Sequence, residues 1–131
     1  MSEPVWVGIE LAIDVHAEQL ALFGGPAGVR DRGLLESALA RAPNKHAYGE
    51  DDLAALAAAY AFGVARNHRL VDGNKRAAFA CMIVFLGLNG IDFLVPEPEA
   101  TAAILALAAG EVEEEGLTRW IRDNWPKDAP A

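Results

Sequence analysis

Cysteine is almost absent from this chain of 131 residues. With Cys81 as its single cysteine, the chain forms neither an internal disulfide nor a thiolate metal cluster of its own. Basic residues are also few, 11 Lys and Arg against 19 Asp and Glu, and a net charge of -8 disfavours non-specific binding to nucleic acids or an anionic membrane. No apolar run is long enough to cross a bilayer, and the N-terminus lacks a signal-peptide pattern. These absences predict a soluble, cytoplasmic protein.

Apolar side chains, by contrast, are abundant. Hydrophobic residues make up 53% of the chain and fall in blocks separated by glycine, proline and charge clusters. This pattern is typical of an ordered globular protein, and the length suits one core. We expect a single domain over residues 1–131, with its core at about 9–124 and a flexible tail after residue 125.

Helical spacing dominates the apolar pattern and predicts about six helices with at most short strands. Asp31 is a candidate N-cap for the second helix, Pro43 is its expected end, and Asp51 or Asp52 caps the third. Cys81 falls within the most apolar segment and is predicted to be a core residue. The fold class is therefore all-α, a compact helical bundle. The predicted helices cover residues 9–23, 31–43, 53–65, about 74–88, 99–109 and roughly 113–124, with a polar loop at 44–50 and a short extended stretch at 91–95.

Four consecutive residues, from Gly73 to Arg76, have the character of an anion-binding helix start. Gly73 permits a tight turn, and Asn74 suits the N-cap of the helix that follows. The free N–H groups of that first turn attract phosphate, and Lys75 and Arg76 add full charges. Two cations in a first turn oppose the helix dipole, which makes better sense if an anion binds between them. An ordinary turn followed by a polar first turn is the alternative.

Just upstream lie two residues suited to acid–base and metal chemistry. His68 is able to exchange a proton near neutral pH, and Asp72 offers the hard oxygen ligand that Mg²⁺ prefers. Together with the anion-binding start, they indicate phosphoryl or nucleotidyl transfer. Taken singly, each also fits a surface loop.

This motif resembles the signature of the Fic/Doc family, His-x-Phe-x-(Asp/Glu)-(Gly/Ala)-Asn-(Gly/Lys)-Arg. The residues that carry the resemblance are His68, Asp72, Gly73, Asn74, Lys75 and Arg76. Residues 23–25, 29–41 and 84–90 also look like the death-on-curing (Doc) branch. The resemblance implies a compact α-helical toxin of a toxin–antitoxin pair, whose antitoxin lays a helical segment in an apolar groove.

Lys75 and Phe79 distinguish two chemistries within the family. AMP-transferring members usually carry glycine and a second arginine at these positions, whereas lysine goes with transfer of the γ-phosphate of ATP in the Doc branch. The resemblance thus implies an ATP- and Mg²⁺-dependent protein kinase whose target is elongation factor Tu, halting translation. It also implies roles for the motif: His68 as catalytic base, Asp72 as metal ligand, and the phosphate- and ATP-binding set Gly73, Asn74, Lys75 and Arg76. AMP transfer, or a catalytically weak module acting through its antitoxin complex, are the alternatives.

Three residues depart from the family pattern: Arg69, Leu70 and Ala77, which stands where Doc relatives usually have threonine. Whether they weaken the activity is left open. The loop at 44–50 matches a flap that aligns the target peptide in relatives, so Lys45 and Tyr48 are candidate substrate contacts, with a plain surface loop as the alternative. For the antitoxin groove the candidate lining residues are Leu11, Val15, Leu22, Ile104 and Leu107, unless these belong to the core.

Overall fold

The computed structural model describes residues 3–23, 32–66 and 74–129. In these ranges the chain forms helices and no strand, which confirms the all-α prediction. None of the helices described has the length and hydropathy of a membrane span. In chain order they are α1 (Ile9–Phe23), α2 (Arg32–Ala47), α3 (Leu53–Ala65), α4 (Asn74–Leu88), α5 (Glu97–Ala108) and α6 (Glu114–Asp123).

Helix α3 is the centre of the domain. Ten of its thirteen residues are buried, as expected for a helix that is apolar on all sides. Helices α2, α4, α5 and α6 all pack against it. Gly63 shows how closely α2 approaches, because a Cβ atom added at Gly63 would lie 2.7 Å from the backbone oxygen of Ala38. Small residues on α3 therefore allow a tight α2–α3 crossing.

The start of α3 is fixed by a side-chain cap. The backbone N–H of Ala54 donates to Asp52 Oδ1 at 3.0 Å, so Asp52 is the cap of the two candidates. Helix α4 ends at Leu88 and is followed by a turn in which Gly90 has a φ of 85°, a conformation that favours glycine. The cap predicted at Asp31 lies outside the described residues.

Helix α2 is longer than predicted. It runs through Pro43 to Ala47, so the prediction of a helix end near Pro43 and of loop structure at residues 44–47 was wrong. Proline removes one backbone donor, but the helix beyond it is held by one contact with α6 and by local backbone hydrogen bonds. Lys45 forms an ion pair with Glu114, and Tyr48 N–H donates back to the carbonyl of Asn44 at 3.2 Å.

The region after α6 contacts the rest of the domain. The Arg122 guanidinium lies 4.3 Å from the centre of the Trp125 ring, and Trp125 and Ala129 pack against the buried core. Residues 91–96 connect α4 to α5 without helix or strand, and Ile91 and Phe93 are buried there.

Candidate active site

The motif lies in sequence between the two central helices. Helix α3 is capped at its C-terminal end by Arg66, and α4 begins at Asn74. His68, Asp72 and Gly73 lie between these points and outside the described residues. Their assigned roles as base, metal ligand and tight turn remain predictions.

The first turn of α4 contains the other motif residues, Asn74, Lys75 and Arg76, as the sequence predicted. It holds no acidic residue, so nothing within that turn neutralises the two cations. The next residues, Ala77 and Ala78, are 2% and 0% exposed, so the helix packs against the core directly after its first turn. The sequence-predicted cluster of helix N–H donors and cations thus begins a well-buried helix, an arrangement that favours a bound anion.

Ala77, one of the departures from the family pattern, is the fourth residue of α4. Its side chain is only 2% exposed. A small apolar residue therefore fits the packing at this position, and compared with threonine it lacks a hydroxyl group next to the predicted phosphate-binding turn.

Arg66 is a cation that the sequence did not single out, two residues before His68. Its Nε donates to the backbone oxygen of Leu107 at 3.2 Å. Its guanidinium lies 4.9 Å from the centre of the Phe62 ring, and that of Arg41 lies 4.5 Å from the same ring. These contacts hold the end of α3 against α5 and α2 at the point where the motif begins.

The candidate flap residues occupy different environments. Lys45 lies in the last turn of α2, and its Nζ is 2.7 Å from Glu114 Oε2. Tyr48 follows the helix in a turn and is 93% exposed. Gly49 has a φ of 109°, which reverses the chain next to it. Tyr48 is thus presented to solvent, while Lys45 is engaged within the fold; contact of either residue with a substrate stays a prediction.

Two buried groups with shifted pKa values belong to the core. Burial raises the pKa of Cys81 to about 12 and keeps the thiol neutral near pH 7. Burial also raises the pKa of Tyr60 to about 12, partly offset by the N–H of Val7, which donates to its hydroxyl oxygen at 2.9 Å. The prediction that Cys81 is a core residue is confirmed by its 2% exposure. Neither group is a nucleophile at physiological pH.

The candidate antitoxin-groove residues fall into two sets. Val15, Ile104 and Leu107 are 8%, 2% and 0% exposed, so they are core and line no surface groove. Leu11 is on the surface at 36%, whereas nothing is described of the Leu22 side chain. An open groove of about 570 Å³ does lie between α5 and α6, and it is lined by Glu99, Ala102, Ala103, Val112, Gly116, Leu117 and Trp120.

The described residues form an all-α domain whose two central helices lie on either side of His68 and Asp72 in sequence, with Lys75 and Arg76 in the first turn of the second of them. A sequence model of the Fic/DOC family matches residues 6–86, and the chain belongs to this family. Toxin Doc of Mycolicibacterium smegmatis is 51% identical over 81 residues, which are 60% of this chain and 62% of that relative, less than two thirds of its length. Protein kinase doc of Escherichia phage P1 is 31% identical over 114 residues, 86% of this chain and 90% of the relative. The resemblance to the Doc branch is thereby confirmed.

Proposed function

We propose that this protein is a toxin of a toxin–antitoxin pair that transfers the γ-phosphate of ATP to a hydroxyl of elongation factor Tu. The observation that carries the proposal is the first turn of α4, which holds Lys75 and Arg76 and no acidic residue in a member of the Fic/DOC family. The names of the two relatives, Toxin Doc and Protein kinase doc, support a toxin and a kinase respectively. The toxin reading also implies a cognate antitoxin.

The motif residues supply the groups that such a transfer needs. His68 accepts the proton of the target hydroxyl as its oxygen bonds to the γ-phosphorus and the bond to the bridging oxygen of ADP breaks. Asn74, Lys75 and Arg76 bind the phosphates, with Arg76 suited to a bidentate contact and Lys75 to a point charge. Asp72 is the carboxylate that would hold Mg²⁺, which when bound neutralises phosphate charge. The donor set of one carboxylate, helix N–H groups and two cations fits ATP with Mg²⁺.

Lys75 is the basis for preferring phosphate transfer over AMP transfer. A glycine there leaves room for the α- and β-phosphates against the helix start, whereas a lysine side chain fills that space with charge. Phe79 also replaces the second arginine of AMP-transferring relatives; it is partly buried and packs against the core. An apolar side chain engaged in the core offers no charge to the far end of a polyphosphate, which agrees with the kinase assignment.

For the antitoxin, we infer a helical segment bound in the groove between α5 and α6. The groove presents the partly exposed apolar side chains of Val112 and Trp120 above the buried Leu117, and Ala102 and Ala103 leave room for a helix to approach. The buried candidates Val15, Ile104 and Leu107 would not be reached by a partner without opening the core.

The reaction is tested by incubating the purified protein with elongation factor Tu and either γ- or α-labelled ATP. Label from the γ-position on the factor is the expected result. Label from the α-position would move the assignment to AMP transfer. No label from either nucleotide, with the helical circular dichroism of the folded protein intact, would favour the catalytically weak module.

A further inference from the structure

Glu114, the first residue of α6, is the buried charge among the described residues. It is 8% exposed, and its two carboxylate oxygens contact two cations of α2. Arg41 Nε donates to Oε1 at 2.7 Å, and Lys45 Nζ lies 2.7 Å from Oε2. These cations are four residues apart and lie on one face of α2 in its last two turns. One carboxylate thus holds the C-terminal end of α2.

A second ion pair from the same helix holds the start of α3. The Arg122 guanidinium pairs with Asp52, the residue that caps α3, and stacks 4.3 Å from the centre of the Trp125 ring. Glu114 and Arg122 are eight residues apart, which is about 12 Å along a helix. Helix α6 therefore contacts both ends of the α2–α3 connection. The acid Glu114 contacts the end of α2, and the cation Arg122 contacts the start of α3.

These side chains bridge two helices that do not pack on each other. In the ranges that the structure describes, the backbones of α2 and α6 each approach that of α3 but not one another, so only long side chains connect α2 with α6. Ion pairs whose cations stay partly in solvent, as Arg41 and Lys45 do with 47% and 32% of their side chains exposed, add little net stability. The bridge is better explained by the geometry that it imposes on the segment between its two ends.

That segment, residues 46–51, is a compact turn with an exposed tip. The Glu50 N–H donates to the carbonyl of Lys45 at 3.2 Å, and His46 Nδ1 lies 2.9 Å from the carbonyl of Glu50. Tyr48 at the tip is 93% exposed and adds nothing to the core. Ordering an exposed segment costs conformational entropy, and a segment already ordered loses less of it when a partner binds.

We propose that α6 acts as a brace in which Glu114 and Arg122 are positioning residues that hold the 46–51 turn in place for the acceptor protein. The proposal rests on the proposed transfer reaction and concerns one substrate of it. Loosening the brace should weaken use of the acceptor and leave use of ATP unchanged, because the ATP-binding residues are on α4.

The first measurement is steady-state kinetics with γ-labelled ATP and elongation factor Tu for Glu114→Gln and Arg122→Gln. We expect the KM for the factor to rise on the order of 10-fold in each variant, with the KM for ATP within about twofold of the wild type. Glu115→Gln is the matched control, since Glu115 is an exposed acid in the same turn of α6. Arg122→Lys, which keeps the charge, should recover most of the loss. Equal changes in both KM values, or none, would overturn the proposal.

A second measurement does not depend on activity. Amide hydrogen exchange of residues 44–52 should speed up at least 10-fold in Glu114→Gln and Arg122→Gln, and not in Glu115→Gln, with exchange in α4 unchanged. Arg122→Gln keeps the test possible if Glu114→Gln does not fold. Unchanged exchange at 44–52 in a folded variant would refute the brace. If the wild type labels nothing, the proposed function and the acceptor role fail together, and exchange alone decides whether α6 braces the turn.

Discussion

Replacing Gly63 by alanine tests how closely α2 crosses α3. The new Cβ would lie 2.7 Å from the Ala38 carbonyl oxygen and 3.3 Å from the Ala38 Cα and carbonyl carbon. All three are backbone atoms, so the contact is relieved only by moving one helix. Overpacking of this kind costs about 1–3 kcal/mol, from which the helix propensity gained by alanine subtracts about 0.5–1 kcal/mol. We expect a net loss of roughly 1–2 kcal/mol.

The same substitution at Gly87 is the matched control. Gly87 lies in α4, and an added Cβ meets nothing within 4 Å. Propensity alone then acts, and Gly87→Ala should be neutral to stabilising by up to about 1 kcal/mol. The two variants therefore have opposite expected signs for one chemical change.

Urea unfolding followed by circular dichroism measures both variants, and a thermal melt gives a second reading. For a domain of this size a loss of 1–2 kcal/mol lowers Tm by roughly 3–10 °C. The reasoning fails if Gly63→Ala is as stable as Gly87→Ala. An unchanged midpoint with a lower m-value would instead indicate an altered unfolded or native state.

Three further outcomes are expected. Expression of His68→Ala should leave cell growth intact where the wild type arrests it, and arrest by the variant would rule out His68 as the base. Ala103→Asp, which puts a charge in the α5–α6 groove, should abolish copurification with the co-expressed antitoxin, while Glu111→Asp, an exposed change beyond the groove, should not. The free energy of unfolding should be highest below pH 9 and fall as pH rises towards 12, because Cys81 and Tyr60 have pKa values of 9.0 and 10.0 when unfolded but about 12 when folded. At pH 11 we expect a loss of about 4 kcal/mol, most of it from Cys81. A Cys81→Ala variant whose stability in urea unfolding had the same pH dependence would contradict this.

The sequence predicted the helices wherever the apolar pattern determined them. The bounds of α1, α3 and α4 match the prediction, since each begins or ends at a change in that pattern. Helix α2 did not follow its local signal: Pro43 suggested an end, and the helix continues to Ala47. One contact that supports the extra turn joins Lys45 to Glu114. These residues are 69 apart in sequence, so no local pattern could predict the contact.

In the candidate site, too, the sequence predicted the residues that follow a local pattern and not those positioned by distant contacts. Lys75 and Arg76 were predictable at a helix start, because the all-apolar run after them fixes where α4 lies. Arg66 was not, since its partner is the carbonyl of Leu107, 41 residues away, and a backbone acceptor has no sequence signature. The choice between groove and core for Ile104 and Leu107 was left open by the sequence for a related reason. Helix α5 has apolar residues on more than one face, so its sequence pattern does not show which face is buried. Only the packing of the fold shows that Ile104 and Leu107 belong to the core.

The distribution of charge connects these observations to function. A chain with a net charge of -8 places two cations in the first turn of α4 and none of its acids beside them in that turn. Elsewhere Glu114 pairs with Arg41 and Lys45, and Asp52 pairs with Arg122. Two cations in a first turn that holds no acid oppose the helix dipole, so this helix start favours an anion from outside the chain, which is the role that the phosphates of ATP fill in the proposed reaction.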